Sequence, residues 1–213
     1  MPGLTIVNPD VTSENSIAIT GRMIHVALKG DTTFTDLGVI ESLQKGGTTN
    51  TQELKGNRTG KVTTYKKVIL EDTTEWTLQT SAYADRAVQR VFNGGVTKTA
   101  GTGASAIVSG KEGKVIAYGC SLFTLQDTDA DFAIVRAYPA IAFEPDNDVE
   151  IQGFSGLAGK ITIQAAETFV PPASLVDYTG ETTPSGVWYM TSIANVKSVQ
   201  DALADALLAY MNA

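Results

Sequence analysis

The chain has 213 residues, of which 43% are hydrophobic, so it is long enough to bury one large core or two small ones. Its formal net charge of −7 at pH 7 argues against stable binding of nucleic acid, because such binding depends on lysine and arginine at the phosphates. A single cysteine excludes an internal disulfide framework and fits synthesis in a reducing cytoplasm. Twenty glycines, with threonine-rich stretches between short apolar runs, favour a mainly β protein over a helical bundle.

The first residues do not resemble a targeting signal. Residues 1–16 lack a basic lead and a long apolar run, so we expect no secretion signal. No stretch approaches the length of a membrane helix, and we expect no membrane insertion. Two prolines and the absence of a hydrophobic period predict an N-terminal arm that is either disordered or in contact with a neighbouring subunit. Strand-like alternation begins at residue 17 and defines a β domain that extends to residue 170.

Residues 44–60 form the least core-like stretch in the body of the chain. They contain four glycines and one large apolar residue, Leu54, between predicted strands at 39–43 and 62–70. Because this composition buries little surface, we predict a long hairpin loop. It is either a mobile surface loop or a segment that orders against a partner subunit by charge pairing. The residues assigned to the second role are Glu41, Lys45, Glu53, Leu54, Lys55, Arg58 and Lys61.

After this loop the sequence changes from the period of a strand to that of a helix. Residues 75–80 alternate between polar and larger side chains, which is typical of a strand with one buried face. The spacing is helical over 81–93, where Ser81 suits the cap and the glycines after Asn93 suit the end. The stripe predicted to pack on the sheet consists of Ala84, Ala87, Val88, Val91 and Phe92.

Two strongly apolar runs, 114–125 and 132–143, predict central strands of the sheet. Pro139 lies within the second run and lacks an amide proton, so it suits an edge or a bulge better than a central ladder. Two adjacent prolines at 171 and 172 then prevent the ladder from continuing. They mark the start of a C-terminal extension, residues 171–213.

The extension has a pattern of its own. It predicts a short strand at 187–191 and a helix from about Ser198, where Asp201 completes a weak capping box. A helix this short is marginal by itself, so its apolar stripe must pack on its own domain or on another chain. That stripe includes Val199, Leu203, Leu207 and Tyr210.

The residues that most often carry chemistry are sparse. His25 and Cys120 are the only residues of their types and lie in separate apolar runs, which suits an incidental histidine and a buried thiol better than a nucleophile pair or a zinc site. Asp127, Asp129 and Asp131 alternate but lack the spacing of an EF-hand, so we interpret them as an exposed acidic turn. We therefore predict no enzyme activity, no metal and no cofactor.

The order of these parts resembles the tail tube proteins of long-tailed bacteriophages. The likeness covers roughly residues 1–170 and includes the sequence LGVI over Leu37–Ile40, ELKGNRTG over Glu53–Gly60, and a tryptophan-containing strand that runs into an alanine-rich helix. It implies a β-sandwich or barrel with one flanking helix. Copies of such a protein assemble into rings, expected to be hexameric, that stack into a hollow tube.

The resemblance also implies roles for individual segments. Residues 41–62 would bridge successive rings, residues 1–16 would form an inter-ring arm, and residues 81–92 would flank the sandwich. The expected partners are other copies of the chain, tape-measure, tail-tip and terminator proteins, and DNA that passes through without adhering, which an acidic wall favours by like-charge repulsion. The protein would be made in the bacterial cytoplasm and reside in the virion tail.

Two alternatives remain open on the sequence. Another virion component, such as a tail terminator or a capsid decoration protein, would share the β composition and the acidic charge. A carbohydrate-binding β module would need exposed aromatic side chains on one face, for which Trp188, Tyr189 and Tyr178 are the candidates.

Overall fold

The fold is mainly β, as predicted, with 51% of residues in strands and two helices. The computed structural model describes residues 19–57, 62–103, 107–110, 115–178 and 185–213, together with residues 181 and 183. The predicted arm, residues 1–16, lies outside these ranges. The strands are β1 (Gly21–Leu28), β2 (Thr35–Asp36), β3 (Ile40–Asn57), β4 (Val62–Thr80), β5 (Thr97–Ala100), β6 (Ile107–Gly110), β7 (Ala117–Asp127), β8 (Phe132–Pro145), β9 (Val149–Ile151), β10 (Phe154–Ile163) and β11 (Val187–Thr191). The helices are α1 (Arg86–Phe92) and α2 (Val196–Met211), and a 3-10 turn at Ile193–Asn195 precedes α2.

Nine strands form one antiparallel sheet in the order β2-β1-β7-β8-β10-β4-β3. Strand β11 adds to β8, and β9 adds to β10. Strands β5 and β6 form a separate two-stranded sheet. Since β11 and β10 both pair with β8, on the side opposite β7, the two strands lie one after the other along the same edge of β8.

The two ends of the sheet meet at the short segment that joins β2 to β3. Leu37 donates its backbone N–H to the carbonyl of Ile24 in β1, and the carbonyl of Val39 accepts from Ser81 at the end of β4. The buried Thr80 hydroxyl donates to the Leu37 carbonyl at 2.6 Å. The sheet therefore closes into a barrel, which removes free strand edges at this seam.

The interior of the barrel is a single apolar core. Trp76 meets Phe123 edge to face with ring centroids 5.2 Å apart, and Phe92 of α1 meets Phe143 at 4.9 Å. The members of this inner core include Ile24, Val26, Leu37, Leu78, Val88, Val91, Ile141, Leu157 and Ile161. Burial of so much apolar surface supplies the main driving force for folding.

Pro139 occupies a bulge, which is one of the few places where a proline is tolerated in a sheet. The register between β7 and β8 shifts between Gly119 and Ser121, so that Pro139 and its neighbour share one position on the partner strand. The extra residue reverses which side chains of β8, odd-numbered or even-numbered, point towards the barrel core. Ala137 and the odd-numbered residues before it face outwards, whereas Ile141 and Phe143 face the barrel core.

A second core covers the outer face of β1, β7, β8 and β11. Helix α2 lies on it, with Val196, Val199, Leu203 and Leu207 buried. Tyr210 is partly buried and contacts Phe169 edge to face at 5.5 Å. The C-terminal stripe therefore packs on its own chain, and because β11 belongs to the main sheet, residues 171–213 complete the same fold.

Helix α1 is shorter than the predicted helix over 81–93. It begins at Arg86, because Asp85 and not Ser81 caps it, with the Asp85 carboxylate accepting from the N–H groups of Ala87 and Val88. Val88, Val91 and Phe92 are buried. Ala84 and Ala87, which the sequence placed on the packing stripe, are exposed, and Ala84 precedes the helix.

The start of α2 also differs from the expectation of about Ser198. The helix begins at Val196 after the 3-10 turn, and its cap residue Asn195 makes no side-chain bond. Asp201 pairs with Lys197 one turn earlier, so Ser198 and Asp201 do not form the predicted capping box. The 3-10 turn is instead fixed by Asp131, whose carboxylate accepts from Ile193 N–H.

The predicted loop over 44–60 is corrected for residues 44–57, which are all strand. They pair with β4 in an antiparallel ladder from Gln44↔Thr77 to Asn57↔Val62. Threonine is favoured in strands, and backbone pairing needs no large side chain. A segment with few large apolar residues can therefore still form regular strand. Residues 58–61 lie outside the described ranges.

The outer core predicts a strong dependence of stability on α2. Replacing Leu203, which is fully buried, with alanine should lower the free energy of unfolding by about 2–5 kcal/mol, because the change leaves a cavity under the helix. Urea denaturation followed by circular dichroism measures this loss. The control is Asp205→Ala on the exposed face of α2, which should change stability by less than about 0.5 kcal/mol. Equal effects of the two substitutions would contradict the packing described here.

Candidate assembly surface

The most prominent surface feature is a two-stranded ribbon made by β3 and β4. Strand β10 pairs with β4 only from Glu75 to Thr80, so within the described residues the preceding part of β4, residues 62–74, pairs with β3 alone. At the usual rise of about 3.3 Å per residue, residues 62–74 extend about 40 Å. The ribbon therefore continues well past the last strand that links it to the barrel.

The ribbon presents two long edges of unpaired backbone. Strand β3 ends the order of the sheet, and β4 has no strand on its other side before Glu75 in the part of the chain that the structure describes. An isolated two-stranded ribbon is marginally stable in water, and unpaired edges are templates for pairing with another chain. The ribbon is thus the part of the fold with most to gain from a partner.

The predicted assembly residues lie along this ribbon but do not act as one group. Glu41 is exposed at a bulge next to the barrel seam, where its carbonyl accepts from Arg22 at 3.5 Å. Glu53 and Lys55 form an ion pair with each other, 3.0 Å between Oε2 and Nζ. Leu54 lies in β3 opposite Lys66. Arg58 and Lys61 are outside the described residues.

Lys45 differs from the other predicted residues because it reaches back towards the barrel. Its Nζ lies 6.0 Å from the centroid of the Trp76 ring, and the guanidinium carbon of Arg136 lies 5.9 Å from the same centroid. Trp76 donates from Nε1 to the hydroxyl of Tyr138 at 3.1 Å. No local pattern in the sequence connects these residues, although an arginine inside the apolar run 132–143 is an unusual residue for a central strand.

The aromatic residues considered for carbohydrate binding do not share a face. Trp188 and Met190 are exposed on one side of β11, and Tyr189, which lies between them, is buried under α2. Tyr178 packs on that same outer core. Strand alternation places Trp188 and Tyr189 on opposite faces, so the proposed aromatic cluster is not formed.

The single histidine and the single cysteine lie on the paired strands β1 and β7, and burial shifts the pKa of each. Burial raises the pKa of the Cys120 thiol to about 12, with a smaller contribution from Asp31, so the thiol stays protonated and unreactive. Burial lowers the pKa of His25, opposed by the charge of Asp36, whose Oδ2 lies 3.9 Å from Nε2. Neither group is placed for nucleophilic chemistry.

The acidic turn is structural. Asp127 accepts from the N–H groups of Asp129 and Ala130, and Asp131 holds the start of the 3-10 turn. Over the ranges that the structure describes, no three His, Cys, Asp or Glu side chains come together as metal ligands would.

Comparison with known proteins gives no match to a family model and none to a curated protein. None of the helices in the described ranges is long and apolar enough to cross a membrane.

His25 predicts a specific dependence of stability on pH. Its folded pKa is lower than its ordinary value of 6.5, so below that pH the unfolded chain binds a proton that the folded chain does not. The free energy of unfolding should therefore fall as the pH drops through 6.5. His25→Gln should remove this part of the dependence, since the chain has no other histidine. Urea titrations between about pH 5 and 7.5 measure it, and identical slopes for the two proteins would contradict the prediction.

Proposed function

We propose that this chain is a structural virion protein whose copies assemble into stacked rings that form the tail tube of a long-tailed bacteriophage. The observation that carries the proposal is the β3–β4 ribbon, which extends about 40 Å past its last contact with β10 at Glu75. A closed barrel with an extended, unpaired ribbon suits a protein that completes its sheet with neighbouring copies.

The barrel and the ribbon differ in what they need from a partner. Both faces of the strands at the barrel's centre are covered, the inner one by the apolar core and the outer one by α2. In the ribbon, by contrast, the outer backbone edges of β3 and of β4 before Glu75 pair with no other strand among the described residues. Pairing those edges with the next copy satisfies backbone groups that are otherwise exposed only to water, and it protects them from uncontrolled aggregation. This favours ordered self-association over a lone monomer.

Ring formation and stacking follow from symmetry once such a contact exists. A contact repeated around a rotation axis closes a ring, and a head-to-tail contact between rings propagates along the axis. The ribbon is long enough to cross from one ring to the next, because about 40 Å is similar to the diameter of a small domain. A net charge of −7 further suits a wall that DNA passes without adhering.

Removal of the ribbon tests the proposal. Gly47 and Thr74 are cross-strand partners, so deleting residues 48–73 and joining the two through a short Asn-Gly turn should leave the barrel intact. We expect the full chain to form rings or tubes in negative-stain electron microscopy at high concentration or with tail-tip components. The shortened chain should remain monomeric and keep a cooperative thermal transition, because none of the deleted residues whose side chains the structure describes belongs to either core.

The matched control is Asp205→Ala, which changes the exposed face of α2 and should assemble like the unmodified chain. Two results oppose the proposal. One is a full-length chain that stays monomeric under all these conditions. The other is a ribbon-deleted chain that assembles as well as the full one.

A further inference from the structure

A small pocket lies where the ribbon, β8 and β11 converge. Its volume is about 160 Å³, and its walls include Lys45, Thr74, Arg136, Tyr138, Gly186 and Trp188. Gly186 forms one wall in a backbone conformation, φ 141°, in which a Cβ atom would lie 2.4 Å from the Ala137 carbonyl oxygen. Only glycine allows this close approach to β8, so the pocket is built by the backbone as well as by side chains.

Among the described residues, Tyr138 and Arg136 at the pocket each carry a proton that has no hydrogen-bond acceptor. Tyr138 is buried, and its oxygen accepts from Trp76 Nε1 at 3.1 Å. Burial raises the pKa of Tyr138, while the hydrogen bond from Trp76 and the charge of Arg136 oppose that shift, so the hydroxyl retains its proton. Since the oxygen is already engaged as an acceptor, the proton is left to be donated elsewhere.

Lys45 and Arg136 place two positive charges beside these donors. Among the described residues, neither Lys45 nor Arg136 has a carboxylate within salt-bridge distance, whereas Arg90, Lys160 and Lys197 each do. The Nε of Arg136 is buried and has no hydrogen-bond partner. A buried donor without a partner is costly, so native proteins rarely retain one unless a ligand, an ion or water completes it.

The tryptophan ring accounts for only part of this arrangement. Lys45 and Arg136 both lie about 6 Å from the Trp76 ring centroid, where a cation–π interaction stabilises each charge. Among the described residues the Arg136 Nε–H has no hydrogen-bond acceptor, and Tyr138 accepts a hydrogen bond from Trp76 but donates none. An oxygen anion would accept from both and would neutralise charge as well.

We propose that this pocket is a binding site for a single oxyanion, a carboxylate or a phosphate group. Arg136 and Tyr138 donate hydrogen bonds to it, and Lys45 supplies a second positive charge. The group has two possible sources, a free small anion or an acidic side chain from a second copy of this acidic chain. The site itself is independent of the tail-tube proposal.

Of the two tryptophans of the chain, Trp188 lines this pocket and Trp76 contacts Lys45 and Arg136 at its wall, so intrinsic fluorescence reports on the pocket. Inorganic phosphate and acetate are titrated separately into the full chain, with ionic strength held constant by sodium chloride. We expect a saturable change that Lys45→Gln and Arg136→Gln each weaken by about tenfold or more, since each removes a charged donor. Arg136→Lys should recover part of the affinity, because it restores the charge without the planar fork. The control is Lys98→Gln, which removes an exposed charge outside the pocket and should bind as the unmodified chain does.

Sedimentation velocity over a range of protein concentrations distinguishes the two sources. A saturable response to phosphate or acetate from a chain that stays monomeric at every concentration assigns the site to a free anion. Self-association assigns the site to a side chain of a second copy if it changes the fluorescence and if both added phosphate and the two pocket substitutions suppress it. If neither occurs, or if the pocket variants respond like Lys98→Gln, the proposal is wrong. Circular dichroism confirms that each variant is folded, and Lys45→Gln keeps the test valid if Arg136→Gln does not fold, because Lys45 is exposed.

Discussion

The structure depends on the need of every strand edge for a partner, and the seam at residues 37–39 is where the protein meets that need for itself. Backbone bonds from Leu37 to Ile24 and from Ser81 to Val39 bring opposite ends of the sheet together, and the buried Thr80 hydroxyl reinforces the contact. Closure encloses the inner core, but it also fixes where β3 leaves the barrel. The long ribbon is therefore a direct continuation of the strands that seal the seam.

A second constraint is that β8 serves two cores. The bulge at Pro139 reverses its facing, so the first half supplies small alanines beneath α2 and the second half supplies Ile141 and Phe143 to the barrel. Tyr138 lies at the point of reversal, on the inner side, and Arg136 precedes it on the same side. The gap between β10 and β11 along β8 lies beside these two residues, so both line the pocket while Tyr138 stays buried in the inner core.

How far the sequence predicts this fold depends on whether the deciding interactions are local. Local period and chemistry predict three features: the strand at 187–191, the burial of Leu203 and Leu207, and the position of Pro139 at a bulge instead of in a regular ladder. The ribbon was missed because a Gly/Thr-rich sequence pairs through its backbone, which composition does not report. The pocket was missed because Lys45, Arg136 and Trp188 come from three strands far apart in sequence, and no local spacing connects them.

The ribbon and the pocket both contain polar groups without a partner among the described residues, backbone groups in the ribbon and side chains in the pocket. In the barrel, the described strands pair with one another, and the chain itself buries both apolar cores. At the ribbon, backbone groups on two edges are left to water, and at its base two cations and a phenolic proton converge without an acceptor. The chain has 23 acidic residues against 16 lysines and arginines, yet no carboxylate among the side chains that the structure describes lies within salt-bridge distance of Lys45 or Arg136. Both unmet needs lie on the same side of the molecule, where a neighbouring chain bringing a strand edge and a carboxylate would satisfy them together.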